Sequence, residues 1–276
     1  MKKKNYLWLI ATLLVINFCI PLHPATGQEV MNIQKKDKSI ISIPVSEIEK
    51  ITFSEASVNE TGIVKDIEGN IYRTVQIGKQ EWMAENLKTT KLNNGTSIKL
   101  VTDNNEWYNI KSSAYCWYNN DEMTNKNRYG ALYNWYTINT GNLCPAGWHV
   151  SSDSDWKELE DYLVDHGHNS NGGAAEMIGK SLAAKTGWNP SSNPSDVGSE
   201  LLPEFRNKSG FSALPGGFRT NNGGFSNPSG IGGYWWTSTE KNESHAWFKN
   251  LINYRGTLEE TAQSKYFGCS VRCVKN

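Results

Sequence analysis

The chain of 276 residues lacks an excess of charge of either sign: 28 Lys and Arg stand against 28 Asp and Glu. No protein-wide field therefore draws it to nucleic acid or to an anionic membrane. Proline is scarce, with 9 residues beside 24 glycines, which excludes a collagen-like or low-complexity chain. At 38% hydrophobic and 20% charged residues, the composition is that of a globular protein rather than a disordered one. Beyond the amino-terminal run, no segment is long and apolar enough to cross a bilayer. What is abundant is aromatic: 11 Trp and 12 Tyr, in a chain otherwise rich in Asn, Ser and Gly.

Lys2, Lys3 and Lys4 precede the apolar run from Leu7 to Ile16. A basic stretch followed by a run too short for a bilayer of about 30 Å reads as a secretory signal. Ala25-Thr26-Gly27 supplies a small-x-small site, so residues 1–27 are predicted to leave after Gly27. Removing these 27 residues leaves 249, with 25 cations against 28 anions and a net charge of −3. The competing reading is a lipid anchor on Cys19, which needs a small residue before the cysteine; Phe18 stands there. Either way the destination is the cell surface or the extracellular space.

Export sets the cysteine chemistry. With Cys19 removed, Cys116, Cys144, Cys269 and Cys273 remain, an even number in an oxidising compartment. Residues four apart in an extended strand lie roughly 13 Å apart, beyond bridging range, so Cys269 and Cys273 each look to Cys116 or Cys144. The alternative, a redox or metal site on Cys269 and Cys273, lacks a histidine nearby in sequence.

Residues 28–61 form a short amino-terminal β segment and linker. Ile41, Ile43 and Val45 alternate with polar residues, and Ile48, Ile51 and Phe53 lie in a second predicted strand. Residues 62–276 form the main domain. Ile63-Val64-Lys65 and Ile71 to Ile77 flank the Glu68-Gly69-Asn70 turn, and Trp82-Met83 follows Gly78-Lys79, so a β-meander is predicted. Ser152 and Asp155 form a capping box ahead of Trp156, Leu159 and Leu163, which predicts a helix ended by Gly167. A second helix is predicted over Ala174 to Ala184 on Met177, Ile178 and Leu182. Residues 189–233 read as long loops pinned by Phe205, Phe211, Phe218 and Phe225. Strands are predicted again over 234–238, 246–251 and 267–274. Strands, two helices, loops and strands in that order give an α+β fold of short antiparallel strands.

Several blocks occur in a fixed order: Trp82-Met83-Ala84-Glu85-Asn86-Leu87, Tyr115-Cys116-Trp117-Tyr118-Asn119-Asn120-Asp121, Tyr129-Gly130-Ala131-Leu132-Tyr133-Asn134-Trp135-Tyr136 and Leu143-Cys144-Pro145-Ala146-Gly147-Trp148-His149-Val150. Phe211 to Arg219, Tyr234 to Glu240 and Ser270-Val271-Arg272-Cys273-Val274 complete the series. Together, over residues 62–276, they resemble the Fibrobacter succinogenes major paralogous domain, a family of exported proteins of Bacteroidetes and Fibrobacteres. The resemblance implies no established activity. More distantly, Cys144-Pro145-Ala146-Gly147-Trp148 ahead of a helix, and a terminal cysteine strand, resemble the C-type-lectin-like fold. The start of that helix is also similar to formylglycine-generating enzymes, which share the architecture. The resemblance implies a disulfide-stapled domain with Cys144 bridged to Cys273, leaving Cys116 and Cys269 as the second pair. The family's carboxy-terminal motif usually has an aromatic where Cys269 stands.

No nucleophile with an orienting base is legible, and His149, His166 and His168 read as structural. The expected function is therefore a non-enzymatic binding or surface module for carbohydrate or another surface polymer. The alternatives are a partner-binding subunit of a surface assembly and a formylglycine-generating-type modifying enzyme. Trp117, Trp235, Trp236 and Trp247, with Glu240, are the candidate ligand platform, since indole faces stack on sugar rings. The opposing reading makes these rings core filling, and adjacent Trp235 and Trp236 cannot face one surface of a strand. Asn119, Asn120, Asp121 and Glu122 form an oxygen-rich loop able to offer ligands to Ca²⁺, or equally to form a turn. No other cofactor is expected, and the oligomeric state is left open by the sequence.

Overall fold

The computed structural model describes residues 30–34, 39–47, 62–169, 177–227 and 230–276. The predicted signal, its cleavage site and Cys19 lie outside these residues, as does the strand expected over 48–53. The chain divides into two compact units, Met1–Ser57 and Val58–Asn276.

In the first unit, Val30–Gln34 pairs antiparallel with Ile40–Pro44. The expected strand of Ile41 and Ile43 is present, but its partner precedes it in sequence. Val30, Ile33, Ile40, Ile41 and Val45 are exposed. Two strands offer one another backbone hydrogen bonds but not enough area to bury such side chains.

The second unit is α+β. Its five-stranded antiparallel sheet runs in the spatial order Ile63–Lys65, Ile71–Ile77, Gln80–Met83, Cys273–Lys275 and Trp148–Val150. The predicted meander is thus its first half, and the carboxy-terminal strand inserts beside it. Val274 pairs with both Trp82 and His149, so the chain's last residues join the meander to the strand Trp148–Val150. Only Cys273–Lys275 is regular strand; Cys269 and Ser270 make single bridges to Tyr133 and Trp235. A second antiparallel sheet comprises Gly232–Glu240, His245–Ile252 and Glu259–Ser264. A small third sheet joins Lys99–Leu100, Ala114–Cys116 and Leu132–Tyr133.

The helices among the described residues are α1 (Asn104–Asn109), α2 (Glu122–Tyr129), α3 (Trp135–Ile138), α4 (Asp153–Asp165) and α5 (Ile178–Leu182). α4 is the predicted central helix. The Ser152 hydroxyl accepts from the Asp155 amide while the Asp155 carboxylate accepts from the Ser152 amide. That reciprocal cap satisfies donors that the first helical turn leaves free. α5 is the second predicted helix, shorter than expected, and residues 174–176 lie outside the described residues.

Tryptophans are the largest of the fully buried side chains. Trp82, Trp156, Phe211 and Trp235 pack as one group, with centroids 4.9 Å apart for Trp82 and Trp156 and 5.4 Å for Trp156 and Phe211. Trp236, on the opposite face of the same strand, packs on Phe248 at 6.0 Å. Burying a large ring contributes on the order of 3 kcal/mol, so these rings add substantially to the burial of the Val, Leu and Ile side chains around them.

One feature of the α4 end makes stability depend on pH. His168 bonds the Ser181 hydroxyl at 2.6 Å, and burial, aided by the positive charges of Lys208 and His166, pulls its pKa down to about 4. A depressed histidine means the unfolded chain takes up the proton first. Stability from this group is therefore complete above about pH 6.5 and lost progressively toward pH 4. Melting temperatures measured from pH 7 to pH 4 are expected to fall, and His168→Gln is expected to flatten that slope; an unchanged slope would assign it elsewhere.

Candidate functional site

A cleft of about 470 Å³ opens on the second unit where three segments meet. Residues 84–88, leaving the strand Gln80–Met83, form one wall; the end of α2 forms the second; and the turn 184–187 after α5, with Asn207, Ser212 and Leu214, forms the third. Arg73 reaches in from the neighbouring strand.

Local chemistry fixes these walls. Asp121 caps α2 by accepting from the Thr124 amide at 3.1 Å. Gly130 ends it with φ +76, and a Cβ there would lie 2.6 Å from the Leu87 carbonyl. Only glycine accommodates both the left-handed turn and that approach, which brings the α2 wall against residues 84–88. Behind the wall, the Asn86 amide uses all of its capacity. Its Nδ2 donates to the Tyr129 carbonyl at 2.8 Å and the Ser270 hydroxyl at 3.2 Å, while its Oδ1 accepts from Trp235 Nε1 at 2.9 Å and Arg272 Nε at 2.7 Å. Arg272 is buried and donates further to the Met83, Phe211 and Ser212 carbonyls. Burial pulls its pKa down to about 9, with Arg73 adding to the effect and Glu85 opposing it. It remains charged at neutral pH.

The lining carries Arg73, Lys88, Lys126, Arg128 and Lys185, against Glu85 as its one carboxylate. Glu85 is engaged by Arg73 Nε at 2.8 Å. Lys126 is paired within α2 to Glu122 at 2.8 Å and lies over the Trp117 ring. Lys88 lies over the Tyr72 ring and donates to Asn127 Oδ1 at 3.4 Å. Arg128 lies over the Tyr129 ring without a carboxylate partner among the described residues, and Lys185 has none either. Both are exposed. A protein with no net charge thus gathers four more cations than anions around one opening.

The tryptophans named from sequence lie elsewhere. Trp117, Trp235 and Trp236 are buried, at 2%, 0% and 0% exposure, and present no face to a ligand. Their indoles are core, the opposing reading of the sequence. Trp247 is half-buried under Lys241, whose ammonium sits 4.6 Å from its centroid, and Glu240 is an exposed partner of the buried Lys265. None of the five lines the cleft.

The proposed calcium loop is occupied by its own fold. Asn119 and Asn120 take left-handed φ values of 53° and 56°, Asn120 donates to the Thr102 carbonyl, Asp121 caps α2 and Glu122 pairs with Lys126. Turn chemistry thus accounts for each side chain except that of Asn119, whose backbone makes the turn. No cluster of three or more acidic, His or Cys side chains able to hold a metal occurs among the described residues.

Cys144 and Cys273 are bonded, and Cys116 and Cys269 are separate buried thiols. The second pairing read from the sequence is therefore absent here. Burial pushes the Cys116 thiol up to about 12, against the opposing charge of Arg219, and raises that of Cys269 as well. Neither is a ready nucleophile. His149 Nε2 contacts the Asp155 carboxylate at 3.1 Å, and that carboxylate is already committed to the α4 cap.

The basic cleft was not legible beforehand, because its cations come from five positions spread between residues 73 and 185. The signal present in sequence was Lys126 and Arg128 two apart, beside Asn127.

A family model described as the Fibrobacter succinogenes major domain matches residues 75–275. The match takes in every segment that lines the cleft except Arg73. No curated protein and no solved structure matches the chain.

Proposed function

The chain belongs to the Fibrobacter succinogenes major domain family, and from that premise we propose that it is an exported, non-enzymatic module that binds carbohydrate or another surface polymer through the basic cleft. The observation that carries this reading is the surplus of five cations over one carboxylate at an opening about 470 Å³ in volume. The lining contains no histidine and no cysteine, and its single carboxylate is already ion-paired, which favours recognition over acid–base chemistry. A disulfide between Cys144 and Cys273 suits an oxidising compartment. No helix among the described residues is long and apolar enough to cross a membrane. The finer reading of the fold as C-type-lectin-like draws support from the same bond, which ties the segment ahead of α4 to the last strand.

A tryptophan at the exposed Thr186 would fill the mouth of the cleft without touching the core. On a glycan array, the purified protein is expected to retain a polymer in the presence of EDTA, and Thr186→Trp is expected to weaken that retention at least about tenfold with an unchanged melting temperature. Retention unaffected by the bulky ring would remove the cleft from the reading.

A second reading, a partner-binding subunit of a surface assembly, is favoured by the hairpin of the first unit, where five branched apolar side chains are exposed. Its signature is retention of a protein partner that is lost on replacing Ile33 and Ile41 by serine.

A further inference from the structure

The charges around the cleft select among polymers. Resting on the binding reading above, we propose that the cleft takes an acidic polysaccharide, one whose sugars carry carboxylate or sulfate groups, and that Arg128 and Lys185 are its anion contacts.

The five cations differ in whether a carboxylate already holds them. Arg73 answers Glu85, and Lys126 answers Glu122. Arg128, from α2, and Lys185, from the turn after α5, stand on different walls with no carboxylate partner among the described residues. Arg128 offers a planar fork suited to two oxygens of one carboxylate or sulfate, and Lys185 offers a compact point charge. Lys88, held between the Tyr72 ring and Asn127, adds a third cation without a carboxylate. Beneath the wall, the buried Arg272 guanidinium is hydrogen-bonded to carbonyl and amide oxygens rather than to a carboxylate, and its charge adds to the local potential. A neutral ligand would draw hydrogen bonds but no charge attraction from this arrangement, whereas an oxyanion would draw both.

The rest of the lining suits a sugar. The Thr186 hydroxyl and Asn127 Nδ2 have no hydrogen-bond partner among the described residues and can serve ring hydroxyls. No tryptophan, tyrosine or phenylalanine lines the opening, so the stacking platforms that single-stranded nucleic acids use are missing from it, and a sugar there would be held by polar and charged contacts rather than by ring stacking.

The test compares affinity gels or calorimetry with four probes: polygalacturonate, its methyl ester, dextran sulfate and unmodified dextran, with duplex DNA as a fifth. Binding to polygalacturonate or to dextran sulfate, but to neither neutral counterpart, is the expected result, and the arm that responds identifies the carboxylate or the sulfate as the group read. Arg128→Gln and Lys185→Gln are each expected to weaken that binding about tenfold, as loss of a charge-assisted contact does. Lys157→Gln, which removes the same charge from exposed α4 outside the cleft, is expected to leave it unchanged. Binding should also fall steeply as salt rises from about 0.1 M to about 1 M and the screening length shrinks from about 10 Å to about 3 Å. Equal affinity for charged and neutral polymers overturns the proposal and leaves the binding reading standing; retention of no polysaccharide overturns both. DNA bound as tightly as the acidic glycans, or Lys157→Gln as damaging as Arg128→Gln, overturns the proposal as well.

Discussion

Serine at both Cys144 and Cys273 is expected to lower the unfolding free energy by about 4–5 kcal/mol. The bond closes a loop over a sequence separation of 129 residues, and cross-linking so long a segment removes much of the unfolded chain's freedom. The bond is placed where its loss also acts on the native state. Cys273 pairs with Val150 and Val274 with both His149 and Trp82, so the last strand joins the meander to the segment leading into α4. That strand has only three residues, too few ladder bonds to hold its position alone. A domain of this size is commonly stable by about 5–15 kcal/mol, so the loss takes from about a quarter to all of the parent's stability. Urea unfolding of the oxidised protein and of Cys144→Ser/Cys273→Ser provides the measurement, with reductant added to the parent protein as a second route to the same species. A difference below about 1 kcal/mol would mean that the strand holds its place without the bond. Cys116→Ala is the control: its thiol is buried and unbonded, so only the cost of a small cavity is expected.

Local chemistry was legible in the sequence, and long-range placement was not. The α4 start was readable because a capping box sits within four consecutive residues, Ser152 to Asp155, and because Trp156, Leu159 and Leu163 repeat at helical spacing. The hairpin of Ile63–Lys65 and Ile71–Ile77 was readable because its turn and alternation are contiguous. Trp235 and Trp236 show the limit. Alternation correctly puts them on opposite faces, but only the tertiary structure reveals that both faces are covered, Trp235 by Trp82, Trp156 and Phe211, and Trp236 by Phe248. An indole intended for sugar and one intended for the core look the same in sequence. The Asn119 to Glu122 loop is ambiguous for a related reason: residues rich in oxygen are also the residues that form turns and cap helices, as Asn119, Asn120 and Asp121 do here. The cleft was hidden twice, since its cations are scattered along the chain and the balance of 28 against 28 averages their concentration away. Pairing of Cys144 with Cys273 came from the family resemblance, because the spacing left two partners open for each cysteine.

Arg272 is the other position where one substitution should have a large effect, and it links stability to the cleft. The side chain is fully buried, and its guanidinium donates to Asn86 Oδ1 at 2.7 Å, to the Met83 and Phe211 carbonyls at 2.9 and 2.7 Å, and to the Ser212 carbonyl at 3.1 Å. Its plane lies over the Phe211 ring at 4.5 Å. The pKa of about 9 shows that burial disfavours the charge, so the net contribution of the group is smaller than its contacts suggest. Removing it is another matter, because the acceptors remain without their donor in a dry site. Arg272→Met, which keeps most of the volume, is therefore expected to cost about 3–5 kcal/mol in urea unfolding. Arg272→Lys is expected to cost less than methionine but still more than about 1 kcal/mol, since an ammonium cannot reach carbonyls spread across the face of a planar fork. Asn86→Ala combined with Arg272→Met should fall short of the sum of the two single costs, because both singles break the same Arg272–Asn86 bond. Strict additivity would show that this bond contributes nothing to the coupling. Because Asn86 and Ser212 also line the cleft, Arg272→Lys should further weaken polymer retention in conditions where the variant remains folded, whereas a disturbance confined to the core would leave retention at the parent value.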